Sequence, residues 1–249
     1  MDSRIMAHMI AGYPDLAGSL EVARALSGGG AAFLEVQFPF SDPSADGPVI
    51  QNACTAALHA GFSVDLGFEL IKQIVGEIEQ PIFLMSYGSL VFKRGVERFV
   101  EESKKAGVHG LIVPDFMPGY DEGLYEIGRS FDIPIVPVLA PSISEKRLAE
   151  ILAWRPSYLY AAIRLGITGS RSELSPEVFV FLNRLKKAKG KVLAGFGIQH
   201  RSQVEQLEKH VYSLIVGSAL VHTITDAISD GERIYPRLRA QIENLRGGA

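Results

Sequence analysis

Eight short apolar runs alternating with helix-patterned stretches predict an α/β chain, a (β/α)8 (TIM) barrel forming a single domain over residues 1–249. The runs are continuously apolar rather than alternating, as expected for parallel strands buried on both faces. No Pro/Ser-rich linker or low-complexity segment divides the chain. An open doubly wound sheet is the alternative, because periodicity does not show closure.

The expected strands are Arg4 to Ile10, Ala32 to Val36, Pro81 to Met85, Gly110 to Val113, Pro134 to Leu139, Tyr158 to Ala162, Val192 to Leu193 and Tyr212 to Val216. Between the third and fourth, Val96, Phe99, Val100 and Ser103 fall at i, i+3, i+4 and i+7, with Lys and Glu on the other face. Leu148, Ile151 and Leu152 repeat the pattern before the sixth strand, and Ser142 with Glu145 has the spacing of a capping box. Val204, Leu207 and Val211 precede the last strand in the same way. The one basic cluster, Arg184 to Lys191, falls at a helix end, where cations complement the dipole, and reads as a solvated face.

Composition excludes several classes. Lys and Arg total 25 against 28 Asp and Glu, a net charge of −3, whereas nucleic-acid binders carry a basic surplus. The single Cys54 offers no second thiol for a disulfide or a thiolate metal cage. No apolar run reaches the ~18 residues of a membrane span, and the N-terminus is too short and polar for a signal peptide. A soluble, cytoplasmic protein is expected.

In such a barrel the chemistry sits on loops after the strand C-termini. Glycine-bearing loops follow the sixth, seventh and eighth strands: Gly166 to Gly169, Gly195 to Gly197, and Gly217-Ser218 leading into a short helix. Any one of these glycines reads as a strand terminator. Three at consecutive late strands point to a phosphate site, because glycine admits a ligand close to the backbone and a helix start offers free N–H groups. The second strand carries Glu35 inside an apolar run, where a charge is costly unless paired or functional. Asp46 follows in a Pro/Gly-rich loop able to fold back over the same mouth. Two carboxylates in different surroundings can divide proton transfer from charge stabilisation. A salt bridge for Glu35 and a turn role for Asp46 are the structural alternatives.

The segment LEVQFPFSDPSADGPVIQ resembles the signature of the tryptophan synthase α subunit family. AGYPD, GLIVPD, RLGITG, GFGI and VGSALV extend the similarity almost end to end. The resemblance implies a (β/α)8 barrel that cleaves indole-3-glycerol phosphate to indole and glyceraldehyde 3-phosphate without a cofactor of its own. It implies Glu35 as catalytic acid/base, Asp46 as the second carboxylate and Tyr160 as a tyrosine near the acid. Gly169, Gly197, Gly217 and Ser218 then match the phosphate binders. Phe40, Asp42 and Pro43 in the acid loop, with Tyr87 and Asp115 after strands three and four, match the side facing a tryptophan synthase β subunit. That partner carries pyridoxal phosphate in an αββα assembly.

The sequence departs from the family at Gln37 in place of Gly, Ser44 in place of Leu, Ile163 and Leu165 beside Arg164, and His8, Ile10 and Tyr13 around the first strand. The short helix that the family places before that strand is expected to be missing, since Ile5 begins it almost at once. If Gln37, Ile163 and Leu165 crowd the site, an α-like subunit that mainly binds and activates a β subunit is the alternative to an active lyase. Apolar loop residues Phe38, Phe116 and Met117 fit a docking face about as well as a core or lid role. No lysine is expected at a strand end inside the barrel, which disfavours a Schiff-base aldolase. Of the histidines only His8 has a place that can face the interior, so a metal-dependent aldolase is disfavoured too.

Overall fold

Parallel pairing runs through the whole sheet of the computed structural model, which describes residues 3–163 and 174–247. Among the described residues the strands are β1 (Ile5–Ile10), β2 (Phe33–Gln37), β3 (Ile82–Met85), β4 (Gly110–Ile112), β5 (Ile135–Val136), β6 (Val138–Leu139), β7 (Tyr158–Ala162), β8 (Lys191–Gly195) and β9 (Ser213–Val216). The helices are α1 (Leu16–Gly28), α2 (Pro48–His59), α3 (Val64–Glu77), α4 (Gly88–Arg94), α5 (Val96–Lys105), α6 (Leu124–Ser130), α7 (Glu145–Ala153), α8 (Pro176–Leu185), α9 (Arg201–Leu207), α10 (Ser218–Ser229) and α11 (Ile234–Arg246).

The strand order β5-β4-β3-β2-β1-β9-β8-β7-β6 begins and ends in one stretch of chain. β5 and β6 are the two halves of the expected fifth strand, interrupted at Pro137, which has no N–H to give a ladder. β5 pairs with β4 and β6 with β7, and the Tyr160 N–H donates to the Pro137 carbonyl at 3.0 Å. The sheet therefore closes into a barrel, and the open-sheet alternative is excluded.

Side-chain alternation splits each strand between two cores. In β2, Phe33 joins the barrel interior, whereas Leu34 and Val36 pack outward against the helices. Position 35 therefore points inward by its register, two residues beyond Phe33. At the strand N-termini the interior is sealed by aromatic rings. Phe83 meets Phe33 at 5.9 Å and Tyr158 at 5.1 Å, and Arg4 caps the Tyr212 ring at 4.3 Å. Lys191, from the basic cluster, lies 4.6 Å over the same ring, far from the mouth where a Schiff-base lysine would sit. Ser3 and Arg4, the described residues before β1, are not helical, and the Ser3 N–H donates to the Arg246 carbonyl of α11 at 3.1 Å.

The helix expectations hold with two corrections, the first being that α9 ends at Leu207, so Val211 lies beyond the helix it was expected to continue. α7 is capped by Ser144, whose hydroxyl accepts from the Arg147 N–H at 3.2 Å, so Ser142 with Glu145 is not the capping pair. Glu145 becomes the first helical residue and pairs with Arg184 of α8 at 2.6 Å. Among the described residues no helix is long and apolar enough to cross a membrane.

Candidate active site

Parallel register places His8 of β1 directly opposite Glu35 of β2. Both side chains point into the barrel near its mouth, and His8 Nδ1 lies 2.7 Å from Glu35 Oε1. The pair is buried, with His8 5% and Glu35 3% exposed, so neither charge is relaxed by bulk water. Burial is the largest influence on the imidazole and pulls its pKa down. The hydrogen bond and charge of Glu35, with the charge of Asp46, more than offset it, and the net direction is upward.

Asp46 is fixed by two donors on one oxygen. Gln37 Nε2 and the Tyr87 hydroxyl each donate to Asp46 Oδ2 at 2.8 Å. The Tyr87 hydroxyl also accepts from the Ala45 N–H at 3.1 Å, which pins the acid loop to β3. Burial first, then the nearby Asp46 charge, pushes the Tyr87 phenol up, so it stays a neutral donor. Gln37, Tyr87 and Asp46 thus form a clamp that aims one carboxylate over the mouth.

Opposite stands Tyr160 of β7. Burial, then the charges of Glu35 and Asp46, raises its pKa well above the ordinary phenol value. Its hydroxyl fits because residue 195 is glycine, where a Cβ would lie 2.7 Å from the oxygen. After β8, Phe196 adopts φ +82° and Gly197 φ +92°. The first is a strained backbone for a bulky residue, of the kind that concentrates at functional sites, and the Phe196 ring lies 5.8 Å from Tyr160. No side chain caps α10, whose start at Gly217 and Ser218 closes the far wall. Glu35, Asp46, Tyr160, Gly197, Gly217 and Ser218 all line one cavity of about 200 Å³. Among the described residues no group of three His, Cys, Asp or Glu side chains is arranged to hold a metal.

Six of the seven catalytic and phosphate residues expected from sequence therefore meet at one mouth, while Gly169 lies outside the described residues, as does Leu165. The set expected to face a partner divides. Asp42 and Asp115 are exposed, and Asp115 accepts from the Gly88 N–H at 2.8 Å at the start of α4. Phe40 is half-buried and stacks on Tyr87 at 5.4 Å. Pro43 is buried within the turn, and Tyr87 is only 1% exposed. Both side chains are thus buried in the chain itself, and Tyr87 serves the acid loop. Phe38 is likewise core, fully buried among Phe62, Phe68 and Phe99.

Two members of the site were not among the expected site residues, His8 and Gln37. The signal for His8 was its place in the first strand, and for Gln37 a large polar residue where the resembling family has glycine. Cys54 lies behind Gln37, with Sγ 3.5 Å from its Nε2, and burial pushes the thiol up to about 12. Since the thiolate is the reactive form, a thiol reagent at neutral pH should leave the native chain unlabelled and modify one thiol once the chain is denatured. Rapid labelling of native protein contradicts this burial.

The tryptophan synthase alpha chain family matches residues 2–249. The chain is 35% identical to the tryptophan synthase alpha chain of Helicobacter hepaticus, over 98% of its own length and 96% of that relative. It is also 35% identical to that of Methanosarcina barkeri, over 99% and 92%. The tryptophan synthase A-subunit of Pyrococcus furiosus superposes with a TM-score of 0.89 at 31% identity, covering 99% of this chain and 98% of that one. An aminoacrylate-bound tryptophan synthase from M. tuberculosis gives 0.87 at 29% identity, covering 99% and 93%. With its barrel, paired carboxylates and glycine-lined far wall in the places the resemblance implied, the chain belongs to the tryptophan synthase alpha chain family.

Proposed function

We infer that the chain is a carbon–carbon lyase that cleaves indole-3-glycerol phosphate to indole and glyceraldehyde 3-phosphate. The observation that carries this reading is one cavity lined both by the carboxylates Glu35 and Asp46 and by the loop residues Gly197, Gly217 and Ser218. An elongated substrate with an aromatic head and a phosphate tail fits that lining. The uncapped start of α10 supplies N–H groups and the positive end of a helix dipole for the phosphate.

The reaction is a retro-aldol step in which C3 of an aromatic ring must leave. Glu35 delivers a proton to C3, and the ring π electrons that form the new C–H bond leave positive charge on the ring nitrogen. Asp46, held through Oδ2 by Gln37 and Tyr87, accepts the ring N–H through Oδ1 and stabilises that charge. Glu35, now ionised, takes the proton of the adjacent glyceryl hydroxyl. The oxygen forms the aldehyde, the C3–C bond breaks, and its electron pair neutralises the ring. One proton is given and one recovered, so the steps balance without oxidant, electron sink or cofactor. Tyr160 remains a neutral phenol beside the carboxylates, a donor that keeps the site polar without adding charge.

Indole leaves as a small apolar product, which suits transfer to a tryptophan synthase β subunit carrying the pyridoxal phosphate, in an αββα heterotetramer. Asp42, Asp115 and the half-buried Phe40, all near the mouth, are the surface we assign to it. A lone buried Cys54 fits the reducing cytoplasm. Gln37 and Ile163 do not line the cavity. Gln37 turns onto Asp46 instead, so neither of these two crowds the cavity, while Leu165 lies outside the described residues.

The test is indole release by the purified chain, alone and with a β subunit. Release by the chain alone supports the lyase, whereas β activation without any indole release from either mixture supports docking only. Tyr87→Phe separates the clamp from an interface role. Losing a hydroxyl bonded to a charge, about 1.5–3 kcal/mol, should slow the isolated chain about 10- to 100-fold. Unchanged turnover in the isolated chain contradicts the clamp.

A further inference from the structure

His8 has no part in the steps above, yet it is the nearest polar neighbour of the proton donor. Its Nδ1 and Glu35 Oε1 bond each other, while His8 Nε2 and Glu35 Oε2 are both buried without a hydrogen-bond partner among the described residues. Buried polar atoms rarely stay unpaired, and such exceptions often mark functional groups. Both residues line the substrate cavity. The His8 ring also lies along the far wall, where a Cβ added at Gly217 would stand 3.5 Å from its Cδ2. The imidazole therefore contacts both the acid Glu35 and the glycine that opens α10.

We propose that His8 and Glu35 act as one proton-holding pair: Nδ1 and Glu35 share a proton, a half-turn of the carboxyl group carries it from the imidazole to the indole C3, and Nε2 donates to an oxygen of the glyceryl chain. The proposal rests on the lyase reading. The pair enters the reaction with one proton, releases it from Glu35 to C3, and regains one from the glyceryl hydroxyl. No bond forms or breaks at His8 other than N–H bonds, and no further reactant is required.

The pair's surroundings support a retained proton. Asp46 from the acid loop adds negative charge, and Tyr160 of β7 is held neutral. Cys54 of α2, behind Asp46, is held as a thiol. β9 brings only Ser213 to Val216 against β1, and α10 opens with Gly217 and Ser218, none of which titrates. No cation from these elements opposes the imidazolium. As pH rises through the raised pKa of His8 the pair loses its proton, and the supply to C3 ends.

The experiment follows the histidine ring nitrogens by NMR in the full chain, with the His8 signal assigned by its absence from His8→Gln. In the wild type His8 should titrate above the ordinary imidazole range. In Glu35→Gln the midpoint should move to lower pH, because burial then acts without the carboxylate. An identical His8 midpoint in the two proteins overturns the shared proton. The alkaline limb of the wild-type rate profile should coincide with the His8 titration. His8→Gln, which keeps a polar side chain without a titrating proton, should lack that limb and turn over about tenfold more slowly at neutral pH, a part of the 10²–10⁴ that a positioned proton-transfer group contributes. A profile of unchanged shape, merely lowered, overturns the proposal in favour of packing. If His8→Gln does not fold, the wild-type and Glu35→Gln titrations decide, with the His8 signal assigned by through-bond connectivity from its backbone resonances. The titration needs no turnover, so a coupled midpoint in a chain that releases no indole supports the shared proton and contradicts the lyase reading instead.

Discussion

Glu35→Gln should lower the rate of indole release by about 10²–10⁴-fold, the contribution typical of a positioned proton-transfer group. The amide matches the carboxylate in shape and can still meet His8 Nδ1, so the barrel should keep its thermal midpoint. It cannot carry a proton to C3 or accept one from a hydroxyl. The loss should fall on kcat, because the phosphate end at Gly197, Gly217 and Ser218 is untouched and substrate should bind with little change. Single-turnover indole release beside a thermal melt checks both halves. Retained turnover in a folded variant removes Glu35 from the proposed mechanism.

Phe38→Ala should destabilise the chain by about 3–5 kcal/mol, the usual cost of emptying a buried phenyl site. Phe38 follows directly on β2, is 0% exposed, and meets Phe62 at 5.4 Å, Phe68 at 5.2 Å and Phe99 at 6.3 Å. The ring fits because position 67 is glycine, where a Cβ would stand 2.6 Å from it. Three elements, the loop before α3, α3 itself and α5, depend on this ring. The collapse that could refill the space is therefore limited. A urea unfolding curve should show a lower midpoint at an unchanged slope. A loss below about 1 kcal/mol contradicts the packing described here.

Much of the fold was readable because its causes are local and repetitive. Every expected strand is present, since continuous apolar runs between turn residues have few other uses in an α/β chain. Interruption at Pro137 was foreseeable in principle, but closure was not. It depends on two halves of one strand pairing with different neighbours, and periodicity carries no information about neighbours. Ser142 and Ser144 both offer a hydroxyl before α7. Which one caps the helix is decided by where the turn ends, a matter of one residue that spacing does not resolve.

The site shows the same division. Glu35 stood out because an acid inside an apolar strand needs a reason, and the glycines because three consecutive loops shared them. The His8–Glu35 contact was hidden because it needs the register of β1 on β2, which a sequence pattern does not state. Gln37 was visible only as an unusual residue. Its hydrogen bond to Asp46 exists because the loop folds back by nine positions, and that path is set by Tyr87 from the loop after β3. The role of Tyr87 in the acid loop was hidden for a related reason: its loop is at the mouth, but its side chain turns inward onto Asp46.

The central claim is a proton delivered to C3 and a carbon–carbon bond broken in one cavity. The most direct measurement is product analysis after incubating the purified chain with indole-3-glycerol phosphate in D2O, in parallel with Glu35→Gln. Equal amounts of indole and glyceraldehyde 3-phosphate, with one deuterium at indole C3 and neither product from Glu35→Gln, are the expected result. Unequal products, indole without deuterium at C3, or the same yield from Glu35→Gln would contradict it.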